Sequence, residues 1–169
     1  FRSPREYSHV SDPLNLGDLL DVLLRVHGHQ IFRDGAWNAD CHPGNVLLCP
    51  DGRLGLLDYG QVKRLDVDPR LKYAKLIVAL ANDDKEEIVR VAVDELGVRT
   101  KHMDPDIIYR MMCFTHDRDS EDIMNGMNIH KFMQWMDEKD PVVSIPDDFV
   151  MAGRASILLR GVANAFQMT

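Results

Sequence analysis

The sequence predicts a mainly α-helical fold: one helix, a polar loop, a short β-hairpin, then a bundle of about four or five helices. Three observations carry this. Leucine, isoleucine and valine recur at helical spacing through most of the 169 residues. Asp-Pro and Pro-Asp pairs and glycines fall where helix caps and stops belong. Between residues 46 and 57, two short apolar runs flank a Pro-Asp-Gly-Arg turn.

Residues 1–11 (FRSPREYSHVS) are polar and aperiodic and read as a linker to a preceding lobe; residues 12–169 read as one unit. Asp12-Pro13 has the chemistry of a cap and a first helical turn. Leu16, Leu19, Leu20, Leu23, Leu24 and Val26 then mark one helical face. Ile31 and Phe32 extend it past Gly28, a local weak point, and Asp34-Gly35 stops it. A loop and hairpin follow over 38–60. Val46-Leu47-Leu48 and Leu54-Gly55-Leu56-Leu57 form the strands, and Pro50-Asp51-Gly52-Arg53 forms the turn.

From 69 to 168 the pattern is helical. Pro69 to Ala81 carries Leu71, Ala74, Ile77, Val78 and Leu80 behind a cap at Asp68. Asp83 or Asp84 caps the next helix, whose Ile88, Val91, Ala92 and Leu96 precede a stop at Gly97. Asp104-Pro105 opens another, through Ile107, Ile108, Met111 and Met112 to Phe114. The polar stretch 116–128 reads as a loop. Ile129 to Met136 is a shorter helix ended by Asp140-Pro141, and Pro146-Asp147-Asp148 opens the last, to about Ala165.

Composition narrows the classes. A chain of this length supports one sizeable core, and 45% hydrophobic with 28% charged residues excludes wholesale disorder. A net charge of −7 argues against a nucleic-acid partner. Cys41, Cys49 and Cys113 are widely spaced and include no CxxC pair, so reduced thiols are expected rather than disulfides or a zinc site. No run is apolar enough to span a membrane. The chain opens with Phe1 and is expected to be a piece of something longer.

The chemistry concentrates in Asn38-Ala39-Asp40-Cys41-His42-Pro43-Gly44-Asn45 and, thirteen residues after Asn45, Asp58-Tyr59-Gly60. Two carboxylates and a carboxamide oxygen suit a hard cation such as Mg²⁺, which shares oxygen ligands with phosphates. Taken singly, Asp40 and Asp58 are ordinary turn or cap residues. Their joint spacing is what raises them above that.

Asp40-x-x-x-x-Asn45, a hairpin, and Asp58-Tyr59-Gly60 resemble the catalytic loop and Asp-Phe-Gly motif of a protein-kinase C-terminal lobe. The wording NADCHPGNVLL and GRLGLLDYG, with LLRVHGHQIFRDG before it, resembles the UbiB-like (aarF-domain) atypical kinases over residues 12–66. That resemblance implies a kinase-like C-lobe using ATP and Mg²⁺ for phosphoryl transfer or hydrolysis, in support of isoprenoid-quinone or lipid metabolism. Asp40 would be the catalytic carboxylate, Asn45 and Asp58 the metal ligands, and Leu47 the floor of the adenine pocket. Mitochondrial or plastid residence, quinone-biosynthesis partners and a lipid or membrane surface would follow from the same source. Asn38 and Cys41 depart from the family's His and Pro, and Asn38 puts the support of the loop in question. The family's Lys-x-Gly-Gln motif and Ala-rich nucleotide loop are not in these residues, so the chain is expected to be inactive alone.

Two rival readings stand beside this one. Asp40, His42 and Asp58 could serve a metal-dependent phosphohydrolase, or the chain could be a non-catalytic kinase-like scaffold. The Trp135-Met136 helix and the last helix, with Phe149, Ile157, Leu158 and Phe166, could line a lipid groove, with Arg154 and Arg160 of the last helix meeting anionic headgroups.

Overall fold

The computed structural model describes residues 15–165. The expected linker 1–11, the Asp12-Pro13 cap and Phe166 lie outside them. Helix α1 (Leu16–His29) starts behind Asn15, whose side-chain oxygen accepts from the amides of Gly17 and Asp18. It does not weaken at Gly28 but runs on as a π turn over Gln30–Asp34. Gly35 then takes φ +68°, and a Cβ there would stand 2.7 Å from the Leu65 carbonyl oxygen, so this stop requires glycine.

Four short strands follow: β1 (Ala36–Asn38), β2 (Val46–Leu48), β3 (Leu54–Leu56) and β4 (Val62–Arg64). β2 and β3 form the expected hairpin, with Val46 opposite Leu56 and Leu48 opposite Leu54. β1 and β4 form a second antiparallel pair around it, with Asn38 opposite Val62. The expectation of one β element is corrected here. Because one pair is nested in the other, the loops 39–45 and 57–61 must leave the same ends side by side. Hydrogen bonds close both seams: Ala39 N donates to Gln61 O at 2.9 Å and Leu57 N to Asn45 O at 2.8 Å.

The helical part begins with α2 (Val67–Ala81). Its N-cap position is Asp66, not Asp68; Asp68 sits in the first turn and pairs with Lys72 at 2.6 Å. α3 (Lys85–Arg90) is capped by Asp84, which accepts from Glu87 N, and continues as a π turn to Glu95. Gly97 follows with φ +79°. After β5 (Arg99–Thr100), α4 (Pro105–His116) starts behind Asp104, which accepts from the amides of Asp106 and Ile107. The stretch expected to be loop holds one more turn, α5 (Glu121–Met124). Its Ile123 is buried, and Arg110 donates to the carbonyls of Asp122 and Ile123, which fixes the turn from outside. α6 (Ile129–Lys139) is longer than expected, β6 (Val142–Ser144) pairs with β5, and α7 (Asp147–Ala165) closes the described chain. Six helices therefore follow the hairpin among the described residues.

Asp140 joins these pieces. It is 1% exposed and accepts from Thr100 Oγ1 at 2.6 Å, His102 N at 2.6 Å and Asp104 N at 2.8 Å. Burial pushes its pKa up, but those three donors outweigh it and hold the carboxyl below the usual range. The core between α2, α4, α6 and α7 is aromatic: Tyr73 packs on Phe32 and Phe149, and Phe114 on Phe132 at 5.4 Å between ring centres. Phe149 is thus part of the core and also, with Ile157 and Leu158, one wall of an apolar cleft beside α7. Ala152 and Ala155 are almost fully buried, and small side chains there let α7 lie against the polar loop.

Candidate active site

Asn38 is the pivot of the site. At 3% exposure it can satisfy its amide only internally, and it does so across the two loops. Its Nδ2 donates to the Asp58 carbonyl at 2.9 Å, and its Oδ1 accepts from Asp40 N at 2.9 Å. One side chain thereby ties the backbone of the first acid to the backbone of the second. The departure that put loop support in question is itself the support.

Asn45 adds a second tie, Nδ2 donating to the Asp40 carbonyl at 3.1 Å. That assignment leaves Asn45 Oδ1 as a free acceptor. Asp58 takes φ +55°, a left-handed conformation that Asp tolerates better than most residues. Its Oδ1 accepts from Gly60 N at 3.0 Å, while its backbone turns toward β4. A Cβ at position 60 would stand 3.0 Å from that same oxygen, so Gly60 keeps the turn open. Leu47 lies on β2 opposite Gly55 and is 48% exposed. Asp40, Asn45 and Asp58 are thus held on adjoining backbone, with Leu47 on the neighbouring strand.

Asp40 also has a partner that sequence reading did not find. Arg154 of α7 donates Nη2 to Asp40 Oδ1 at 3.1 Å, across 114 residues of chain. Arg160, the other cation expected to face anionic headgroups, instead turns inward and donates to the Phe114 carbonyl. Burial lowers its pKa. Both arginines of α7 are therefore engaged by the protein.

The neighbours of Asp40 are engaged by the protein itself. Cys41 is buried with its thiol on the Ala155 carbonyl, and burial pushes its pKa up to about 11. It is no nucleophile at neutral pH. His42 Nδ1 accepts from Gly44 N at 3.0 Å and caps the turn Pro43–Asn45. Among the described residues, no group of three or more His, Cys, Asp or Glu side chains could hold a metal ion. The Asp40, His42 and Asp58 metal set of the phosphohydrolase reading is not formed. Asp58 and Asn45 offer a carboxylate and a carboxamide oxygen, the donor type that Mg²⁺ prefers.

Two further side chains lie apart from this rim. His27 is a buried core histidine, Nδ1 on the Leu23 carbonyl at 3.0 Å, with its pKa lowered by burial. His116, behind α7, is pushed down to about 4 by burial.

Comparison with known proteins places the loop and hairpin among relatives. Residues 8–92, half of the chain, match the ABC1 atypical kinase-like domain. A stretch of 80 residues is 34% identical to the protein Activity of BC1 complex kinase 3, chloroplastic, of Arabidopsis thaliana, covering 47% of this chain and 11% of that protein. Another of 84 residues is 31% identical to the probable protein kinase UbiB of Photorhabdus laumondii, covering 47% and 15%. An uncharacterized protein of Clostridium pasteurianum is 21% identical over 155 residues, 90% of this chain and 29% of that one. The chain thus spans well under two thirds of the length of these relatives.

Proposed function

This chain belongs to the ABC1 atypical kinase-like family, and from that premise we propose that it is the C-terminal lobe of an atypical kinase or ATPase acting on Mg²⁺-ATP. The observation that supports this most is the Asn38 clamp, which sets the Asp40 amide and the Asp58 carbonyl on one side chain at 2.9 Å each. A phosphoryl-transfer site is chiefly a matter of position and charge, because the transferring group carries its own reactivity. Asp40 orients the acceptor hydroxyl or water and accepts its proton. Asn45 and Asp58 supply oxygens to Mg²⁺, and Leu47 floors the adenine pocket. When bound, Mg²⁺ neutralises phosphate charge and aligns the γ-phosphoryl group.

A preceding lobe completes the nucleotide site, with the Lys-x-Gly-Gln and Ala-rich motifs this chain does not contain. The whole protein supports isoprenoid-quinone or lipid metabolism in a mitochondrion or plastid, alongside quinone-biosynthesis proteins and a lipid or membrane surface, and has no nucleic-acid partner. One fact leans the same way: one relative is chloroplastic by name. The isolated 169-residue chain binds ATP weakly and does not turn over.

Calorimetric titration of the full-length protein with ATP tests the site. Binding is expected to need Mg²⁺ and to weaken by roughly tenfold or more in Asp58→Asn, the loss of a charged ligand oxygen costing about 1.4 kcal/mol at the least. Equal Mg²⁺-ATP binding and biological activity in Asp58→Asn would establish the scaffold reading instead.

A further inference from the structure

Phosphoryl transfer spreads negative charge over three equatorial oxygens, and protein cations are needed to meet it. The segment that carries the acids is short of them. From Asn38 to Gly60 the sequence holds one Lys or Arg, Arg53. That residue lies in the hairpin turn and is paired with Asp51 at 2.7 Å. Arg154 is placed where the cation is missing. Its guanidinium reaches Asp40 Oδ1 from the far helix, its side chain is 49% exposed, and Asp40 is 20% exposed beside it.

The stem of Arg154 lies along an apolar cleft between α4 and α7, with Met112, Phe149 and Leu158 among its walls. Packing of the methylenes aims the charged head at the loop while leaving it solvated. The small residues Gly153 and Ala155 on either side of it let α7 approach closely: a Cβ at 153 would stand 3.2 Å from the His116 ring. Nη2 is committed to Asp40, and the other face of a planar fork with five donors remains available to phosphate oxygens.

We propose that Arg154 is a catalytic cation of the phosphoryl-transfer site, supplied by α7 rather than by the catalytic loop, where it orients Asp40 and neutralises the transferring group. The inference rests on the reading of Asp40 given above. In the step it serves, the acceptor oxygen forms a bond to the γ-phosphorus and the bond to the β,γ-bridging oxygen breaks. That electron pair leaves with ADP. The acceptor proton passes to Asp40 Oδ2, because Oδ1 is held by Arg154, and the guanidinium meets the charge on the equatorial oxygens.

The test compares full-length wild type with Arg154→Met and Arg154→Lys. Affinity is measured for Mg²⁺-ADP and for Mg²⁺-ADP-aluminium fluoride, a mimic of the transferring phosphoryl group, and turnover is measured alongside. Arg154→Met is expected to keep its ADP affinity and melting temperature but to lose roughly 10²-fold or more in turnover, with a matching loss for the aluminium fluoride complex. Arg154→Lys recovers part of both, since a lysine supplies the charge without the fork. Unchanged aluminium fluoride affinity in Arg154→Met overturns the assignment, and so does an equal loss for ADP with a lowered melting temperature, which would make Arg154 a strut. A wild type that neither turns over nor prefers aluminium fluoride overturns the phosphoryl-transfer reading itself, and Arg154 falls with it. Full activity in Arg154→Met beside a dead Asp40 variant removes Arg154 alone.

Discussion

Asn38→Ala is the perturbation that weighs the clamp. The wild-type side chain makes two hydrogen bonds of 2.9 Å, to the Asp58 carbonyl and from the Asp40 amide. A typical intramolecular hydrogen bond contributes about 1 kcal/mol net, so truncation costs about 2 kcal/mol if water reaches both orphaned groups. The cost rises toward about 4 kcal/mol where water cannot reach them. For a chain of this size that is a melting-temperature loss of roughly 4–8 °C at the lower figure. Asn45→Ala, which removes one 3.1 Å bond, should cost about half as much. Urea denaturation followed by circular dichroism measures both. The nucleotide consequence is separate: Asn38→Ala should also weaken Mg²⁺-ATP binding in the full-length protein, because Asp58 is no longer tied to the loop that carries Asn45. A loss below about 0.5 kcal/mol with ATP binding intact would refute the clamp, since that is the scatter of ordinary surface substitutions.

Other outcomes follow from the surroundings. His116, with its pKa pushed down to about 4 against 6.5 for the free side chain, is neutral in the fold but protonated in the unfolded chain between those values. Its contribution is therefore complete above about pH 6.5 and is lost progressively toward pH 4, by roughly 3 kcal/mol in all; His116→Leu should flatten that limb in urea melts at stepped pH. Asp140→Asn should cost about 2–4 kcal/mol, because it weakens three charge-assisted bonds at once, and the wild type should lose that stability only as the pH falls below the usual carboxylate range. Alkylation at neutral pH should modify half-buried Cys49 first and reach Cys41 and Cys113 only on unfolding, as peptide mass mapping will show.

The helices were legible because their boundaries are written locally. Asp84, Asp104 and Asn128 each place an oxygen on an amide two or three residues ahead, and Gly97 turns left-handed where the stripe ends. The hairpin was legible from its turn. The β1–β4 pair was not: each strand is three residues, their partners are about 24 to 28 positions apart, and Trp37 and Asn38 are both buried, so no alternation marks them. α5 was hidden because its turn is held by Arg110, a partner from another helix. Asp68 was expected as the cap of α2, whereas Asp66, two residues earlier, holds that position without a side-chain hydrogen bond.

The site divides the same way. Asp40, Asn45 and Asp58 carry a spacing that can be read along the chain. Asn38 looked like a departure from the family because a pattern records which residue is present and not what it bonds. Arg154 had no signal beyond its charge on the last helix. Its meeting with Asp40 depends on how α7 packs, and that depends on Ala152, Gly153 and Ala155 being small.

Asp40 is the residue on which phosphoryl transfer depends most directly. Single-turnover transfer or hydrolysis of ATP labelled at the γ-phosphate, by the full-length protein with Mg²⁺, should slow by roughly 10²–10⁴-fold in Asp40→Asn while Mg²⁺-ATP affinity is retained, the range expected when a positioned general base is lost. Turnover by Asp40→Asn at the wild-type rate would contradict it.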